Sequence, residues 1–214
     1  MAQALDSSPA SDGRIETVEQ LREIIGTPLA GLGDKNVDHL DEFARAFLAR
    51  CPFLVLSTAD ARGHQDASPK GDAPGFVLVE DDRHLVIPDR PGNKLAYGLE
   101  NILENPRVGI LFVIPGTAET FRVNGTAELV CQPELLRRLE ARGRPAVVGI
   151  RVAVEEAFFH CAKAFLRSKL WQHEQWGERH KVSFGEMFAK KLGAGDEAVV
   201  AVDAAIERDY ETNL

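Results

Sequence analysis

"IPDRPGNKLAYGLENILENP", residues 87–106, holds the transition on which the fold turns. Arg90-Pro91-Gly92-Asn93 suits a type II turn, with proline at the second position and glycine at the third, where φ must be positive. A helix is expected at once after it. Leu95, Leu99, Ile102 and Leu103 fall at i, i+4, i+7 and i+8 and share one apolar face. Asn105-Pro106 ends that helix, because a residue preceding proline is pushed out of the helical region. The unpaired N–H groups of the first helical turn then point at a spot flanked by Arg90 and Lys94. Such a spot favours an anion, phosphate in particular.

Outward from this stretch, strand signals predominate. Residues 52–59, "PFLVLSTA", form an apolar run rich in strand formers. "GFVLVE" (75–80) and "HLVIP" (84–88) bracket the turn "DDR" as a hairpin. "RVGILFVIPG" (107–116) is a strand stopped by Pro115-Gly116, and "AVVGIRVAV" (146–154) is another. "TFRVNGTAELV" (120–130) alternates cleanly, with Phe121, Val123, Ala127 and Leu129 on one face and Arg122, Asn124, Thr126 and Glu128 on the other. About six strands with one long crossover helix do not make an alternating α/β sheet. The expected fold is mainly β: a six-stranded Greek-key barrel with flanking helices.

Helices are expected elsewhere. Thr17 and Gln20 make a capping box for a short helix ending near Gly26. A second helix is expected from about Asp38 to Arg50, with Leu40, Phe43, Phe47 and Leu48 on one face. A short helix follows Pro133, and an acidic one starts near Asp196. The expected domains are a disordered tail (1–14), N-terminal helices (15–50), the barrel (51–171) and a C-terminal helical extension (172–214).

Composition narrows the function. The 214 residues suit one domain, and their net charge of −8 disfavours nucleic acid or an anionic membrane as partner. Three cysteines, Cys51, Cys131 and Cys161, lie far apart with no C-x-x-C, which argues against a disulfide framework and a zinc knuckle. The first residues lack the charged and apolar regions of a signal peptide, and no apolar run reaches membrane-spanning length. A cytoplasmic protein is expected.

Several motifs are imitations. Gly31-Leu32-Gly33 opens like a dinucleotide fingerprint but lacks its third glycine and a preceding strand, and there is no P-loop. "HEQWGERH" (173–180) approaches H-E-x-x-H, but Gly177 stands where the second histidine should be. His173 and His180 could share a helix face, yet exposed histidines explain them better than a metal site does, so no metal is expected. Arg90 and Lys94 themselves admit two readings, solvated surface cations or an anion site. Lys70, between Pro69 and Gly71 in a strand-like segment, favours the second. Residues 163–191 carry seven Lys or Arg against three Glu. That stretch is either a solubilising face or a second anion-facing surface with an aromatic cover.

In order and spacing, "SPKGDAPGF", the hairpin, "IPDRPGNK" opening a helix that ends in "NP", and "ETFRVNGTAEL" together resemble the pyridoxamine 5′-phosphate oxidase-like FMN-binding split barrels. The resemblance covers roughly residues 38 to 171. It implies a homodimer with FMN in a groove between subunits. It would place Ser68, Pro69 and Lys70 along the flavin and its phosphate tail, and Ile87 and Pro88 beside the ring. Arg90, Asn93 and Lys94 would meet the phosphate, and Arg122 would lie close to the cofactor. Arg167 and Trp171 would come from the second subunit. FMN would carry the redox chemistry, so no protein nucleophile is required, and the implied activity is oxidoreduction of a small molecule. True pyridoxamine-phosphate oxidases end with an R-x-H motif that grips the substrate phosphate, and "DEAVVAVDAAIERDYETNL" does not contain it. Where that family usually has an arginine before the phosphate lysine, Asn93 stands. Use of the deazaflavin F420 and a non-catalytic flavin- or haem-binding module are the alternatives.

Overall fold

The computed structural model describes residues 13–212; most of the expected tail therefore lies outside the described residues. The chain divides into two compact units, Met1–Asn36 and Val37–Leu214.

In the first unit, helix α1 spans Val18–Ile25. Its capping box forms as expected. The Thr17 hydroxyl accepts from the Gln20 N–H at 3.2 Å, and the Gln20 side chain accepts from the Thr17 N–H at 3.3 Å. Two otherwise orphaned donors are thereby satisfied. The helix ends at Gly26, whose N–H donates to the Arg22 carbonyl.

The second unit is built on one seven-stranded antiparallel sheet. Its strands are β1 (Phe53–Ala59), β2 (Gln65–Gly71), β3 (Leu78–Val79), β4 (His84–Asp89), β5 (Arg107–Val113), β6 (Thr120–Val130) and β7 (Val148–His160). The order is β2-β1-β5-β6-β7-β4-β3. Edge strand β2 sets Pro69 opposite Val55 of β1, and β4 sets Pro88 opposite Gly149 of β7. Strand β6 occupies the expected residues and alternates as expected, with Phe121, Val123 and Ala127 buried. Between Asn124 and Gly125 the β6–β7 register shifts in a bulge: Asn124 faces Glu156 while Gly125 faces Val154.

Inward residues of β1, β4, β5, β6 and β7 belong to a single core, including Leu54, Ile87, Phe112, Phe121 and Ile150. One face of one sheet can enclose one core only by curling. Phe121 sits at its centre, with ring centroids 5.9 Å from Phe112, 6.1 Å from Phe47 and 5.0 Å from Phe159. Helix α2 (Glu42–Leu48) covers the core with Ala44, Phe47 and Leu48. On the opposite side of β4 a smaller cluster of Val86, Val130, Leu135 and Leu139 seats α4 (Pro133–Arg138). Cys51 is buried, and its thiol donates to the Phe53 and Val113 carbonyls at 3.0 and 3.4 Å.

Several expectations are corrected. Among the described residues there are seven strands rather than six, the addition being β2, whose polar residues pair with β1. Strand β3 has two residues, and β7 runs on to His160. Helix α2 is shorter than expected, starting at an Asp41 cap, and Phe43 is exposed on it. Helix α3 covers Tyr97–Glu104, so Leu95 precedes it. His173 and His180 share no helix: a 3-10 turn covers only His173–Gln175.

Beyond β7 the chain forms α5 (Lys163–Ser168), α6 (Phe184–Leu192) and α7 (Asp196–Thr212). Helices α6 and α7 approach so closely at Gly185 that a Cβ there would lie 2.3 Å from the Val199 carbonyl oxygen. The Asp203 carboxylate of α7 staples the start of α6, accepting from the Ser183 hydroxyl and the Gly185 N–H, both at 2.7 Å. The Ser183 hydroxyl, the Gly185 N–H and the charge of Lys181 hold the Asp203 carboxyl below its usual range. A lowered folded-state pKa stabilises above the unfolded value and is lost as pH falls through the folded one. The α6–α7 contact is therefore expected to weaken from about pH 4 downward. Helical ellipticity followed on acidification checks this, and the Asp203→Asn variant should lack that component. Among the described residues, no helix is long and apolar enough to cross a membrane.

Candidate cofactor-binding site

Between His84 and Asp89, strand β4 is apolar. Leu85 to Pro88 are buried, Asp89 is half-buried, and Pro91 stops the strand. The loop that follows is not a type II turn. Gly92 has no positive φ; the left-handed residues are Lys94 and Ala96, with φ of 63° and 55°. Asn93 organises the loop instead, its Oδ1 accepting the Leu95 N–H at 3.0 Å. Ala96 then caps α3 with its carbonyl, which accepts from Leu99 and Glu100 at 2.9 Å, but has no side chain to cap with. A non-glycine residue in the left-handed region costs about 1–2 kcal/mol. Backbone strain of this kind clusters where ligands bind.

Two neighbours fix α3. Asn101 donates to the hydroxyl of buried Thr58 on β1 at 3.0 Å, and Ile102 is buried in the core. Between α3, the loop and edge strand β2 lies a cavity of about 620 Å³. That is within the range of small-molecule sites. Ser68, Pro69 and Lys70 line one side of it; Arg90, Asn93 and Lys94 line the other.

The curled sheet brings β2 against the end of β4, although four strands separate them in the sheet order. Side chains join them crosswise. Lys70 Nζ lies 2.5 Å from Asp89 Oδ1, and Arg90 Nη2 lies 2.8 Å from Asp72 Oδ2. Arg90 Nε donates to the same Asp72 oxygen at 2.9 Å. Arg90 Nη1 is buried with no hydrogen-bond partner among the described residues. Leaving such a donor unmet costs about 1–3 kcal/mol. Lys94 is exposed and is the one cation of the cavity lining without an ion pair among the described residues.

The remaining residues picked out from the sequence lie elsewhere. Ile87 is fully buried in the main core. Pro88 borders a smaller pocket of about 220 Å³ behind the ion pairs, shared with Pro69 and Phe76. Arg122 lies on the outer face of the sheet, its guanidinium 5.2 Å from the centroid of the Phe158 ring. There it borders a separate cavity of about 540 Å³ with Val55, Ser57 and Asn124. Arg167 is exposed on α5. Trp171 stacks on Phe165 with ring centroids 5.5 Å apart, and its Nε1–H donates to the Thr117 carbonyl at 2.8 Å. One chain thus gathers Ser68, Pro69, Lys70, Arg90, Asn93 and Lys94 around one cavity, and leaves Ile87, Pro88, Arg122, Arg167 and Trp171 outside it.

Asp66, Asp72, Asp89 and Tyr97 were not singled out in the sequence, yet Asp72 grips Arg90 and the others line the main cavity. The signal for two of them was present: Lys70-Gly71-Asp72 and Asp89-Arg90 each set a carboxylate beside a cation. Among the described residues, no group of three or more His, Cys, Asp or Glu could hold a metal ion.

Residues 40–161, more than half of the chain, match the family model for pyridoxamine 5′-phosphate oxidase. No curated protein matches. Among solved structures, HupZ of Group A Streptococcus is similar with a TM-score of 0.45 and 21% identity, over 56% of this chain and 92% of that one. A candidate pyridoxamine 5′-phosphate oxidase of Lactobacillus delbrueckii has a TM-score of 0.43 and 26% identity, over 57% and 95%. For an F420 reductase the values are 0.39 and 19%, over 54% and 94%.

Proposed function

Because this chain belongs to the pyridoxamine 5′-phosphate oxidase family, we propose that its curled sheet is a split barrel that binds FMN and serves oxidoreduction of a small molecule. The observation that carries the reading is the meeting of Lys70, Arg90 and Lys94 at one cavity, with an unmet buried donor on Arg90 and an exposed, unpaired ammonium on Lys94. A phosphate ester suits such a donor set, since it accepts several charge-assisted hydrogen bonds at once.

The residues fit the cofactor at its phosphate end. Lys94 and the Arg90 guanidinium would hold the phosphate, with the Asn93 loop fixing the direction of approach. Ser68 and Pro69 on β2 would flank the tail and the near side of the ring. Bound FMN would supply hydride or single-electron transfer. The chain itself would position the ring and exclude water from it. In a homodimer, the outer sheet face bearing Arg122 and the segment bearing Arg167 and Trp171 would complete the groove from the second subunit.

The visible absorption spectrum of freshly purified protein, with mass analysis of any released chromophore, tests the reading. An oxidised-flavin spectrum and the mass of FMN are expected. A released deazaflavin or haem would overturn the FMN assignment, and a protein that stays colourless with added FMN would overturn cofactor binding altogether.

A further inference from the structure

The two ion pairs across the cavity are reciprocal. Strand β2 supplies the cation of one, Lys70, and continues into the anion of the other, Asp72; β4 ends in Asp89 and passes to Arg90. All four side chains are largely shielded from water, at 20% and 16% exposure for Lys70 and Asp89 and 25% and 15% for Arg90 and Asp72. Asp72 is itself fixed, its other oxygen accepting the Ala73 N–H at 2.9 Å. Counting Asp66 with these two carboxylates, three anions balance Lys70, Arg90 and Lys94, so the site has no formal net charge. An anion-binding site of that composition is already internally satisfied. Among the described residues, Lys94, the Asp66 carboxylate and one guanidinium nitrogen are left over.

We propose that Asp72 and Asp89 are internal stand-ins for the ligand's phosphate. They hold Arg90 and Lys70 in a neutral arrangement, and loading of the site exchanges carboxylate for phosphate at those two cations. The inference deepens the FMN reading and rests on it only for the identity of the phosphate ester. Lys94, without an ion pair among the described residues, makes the first contact, and the exchange at Arg90 and Lys70 follows. The two carboxylates set the affinity by competition. Charges a few ångströms apart at a partly shielded site interact strongly enough for this to be measurable. The competing readings differ in sign. A carboxylate that merely pre-positions its cation would strengthen phosphate binding, whereas one that competes for the cation weakens it.

Asp72→Asn and Asp89→Asn keep the shape and a hydrogen-bond acceptor while removing the charge. Affinities for inorganic phosphate, FMN and riboflavin are measured by calorimetry on the unmodified protein and on each variant, with circular dichroism to certify folding. Each variant is expected to bind inorganic phosphate and FMN about tenfold more tightly, with riboflavin unchanged. Unchanged or weaker phosphate binding in a folded variant overturns the exchange, as does a lack of phosphate binding in all three proteins. The two substitutions break different pairs, so either decides alone. In the unmodified protein, the carboxyl carbon resonances of Asp72 and Asp89 should also move on phosphate addition, and fixed resonances overturn the proposal without any substitution. Tighter phosphate binding together with no affinity for FMN would uphold the exchange and reject the flavin.

Discussion

Gly125→Ala, a single added methyl group, is expected to lower the melting temperature by at least about 10 °C and to leave much of the protein unfolded at physiological temperature. Gly125 is buried in the middle of β6, at the bulge where the register with β7 shifts. A Cβ on it would sit 2.0 Å from the Ala153 carbonyl oxygen and 3.1 Å from its carbon. The obstacle is main chain, which has no rotamer to retreat into. Relief requires β6 and β7 to part, and these strands carry Phe121, Val123, Ile150 and Val152 into the core. A loss above about 4 kcal/mol is a large share of the 5–15 kcal/mol that stabilises a domain. Thermal melting followed by circular dichroism checks it. A variant that melts with the parent would mean that the two strands do not meet in this register.

Lys94→Glu is expected to reduce FMN affinity at least about 100-fold while leaving the melting temperature nearly unchanged. Lys94 is exposed and bonded to no carboxylate among the described residues, so the fold loses little. The ligand loses a charge-assisted contact of about 1.5–3 kcal/mol and meets a repulsive carboxylate in its place. Fluorescence quenching of FMN in titration with parent and variant measures the difference. Equal affinities in two folded proteins would remove Lys94 from the phosphate site and take the main support of the flavin reading with it.

How legible this protein is in its sequence depends on what holds each element. Strand β6 is written in its own alternation, because one face of it lies in a core. The α1 capping box is likewise local, with both partners three residues apart. Strand β2 is the opposite case. "QDASPKG" is strand-like around Lys70 but lacks an apolar face and strand formers, and its pairing with β1 makes it a strand of the sheet. The Arg90–Asn93 stretch misleads for a related reason. Proline and glycine suit a tight turn, but the paired ends of β4 and the docking of α3 on Thr58 stretch the loop. The left-handed residues are displaced to Lys94 and Ala96. Phe43 follows the helical period of its neighbours, yet it is exposed.

The site divides in the same manner. Its cations are visible because they stand at strand ends beside Pro and Gly, where a lysine or arginine is conspicuous. Its carboxylates are equally near in the chain, but they acquire meaning only across the gap. Lys70 finds Asp89 nineteen residues away, and Arg90 finds Asp72 eighteen away. Pairings at that distance follow from the curl of the sheet, which no local pattern encodes.

The prolines of β2 and β4 explain why that gap exists. A proline is accommodated in a strand only where its nitrogen is not asked to donate to a neighbouring strand. Strand β2 pairs with β1 alone, so the nitrogen of Pro69 belongs to its free edge. Strand β3 reaches only Leu85 and Val86 of β4, so Pro88 likewise faces an unpaired side. At these two positions neither lip of the opening can donate a main-chain hydrogen bond. The two prolines thus interrupt any ladder across the opening, and β2 offers no unbroken template to a strand from another molecule. Two absent hydrogens weigh against closing that opening.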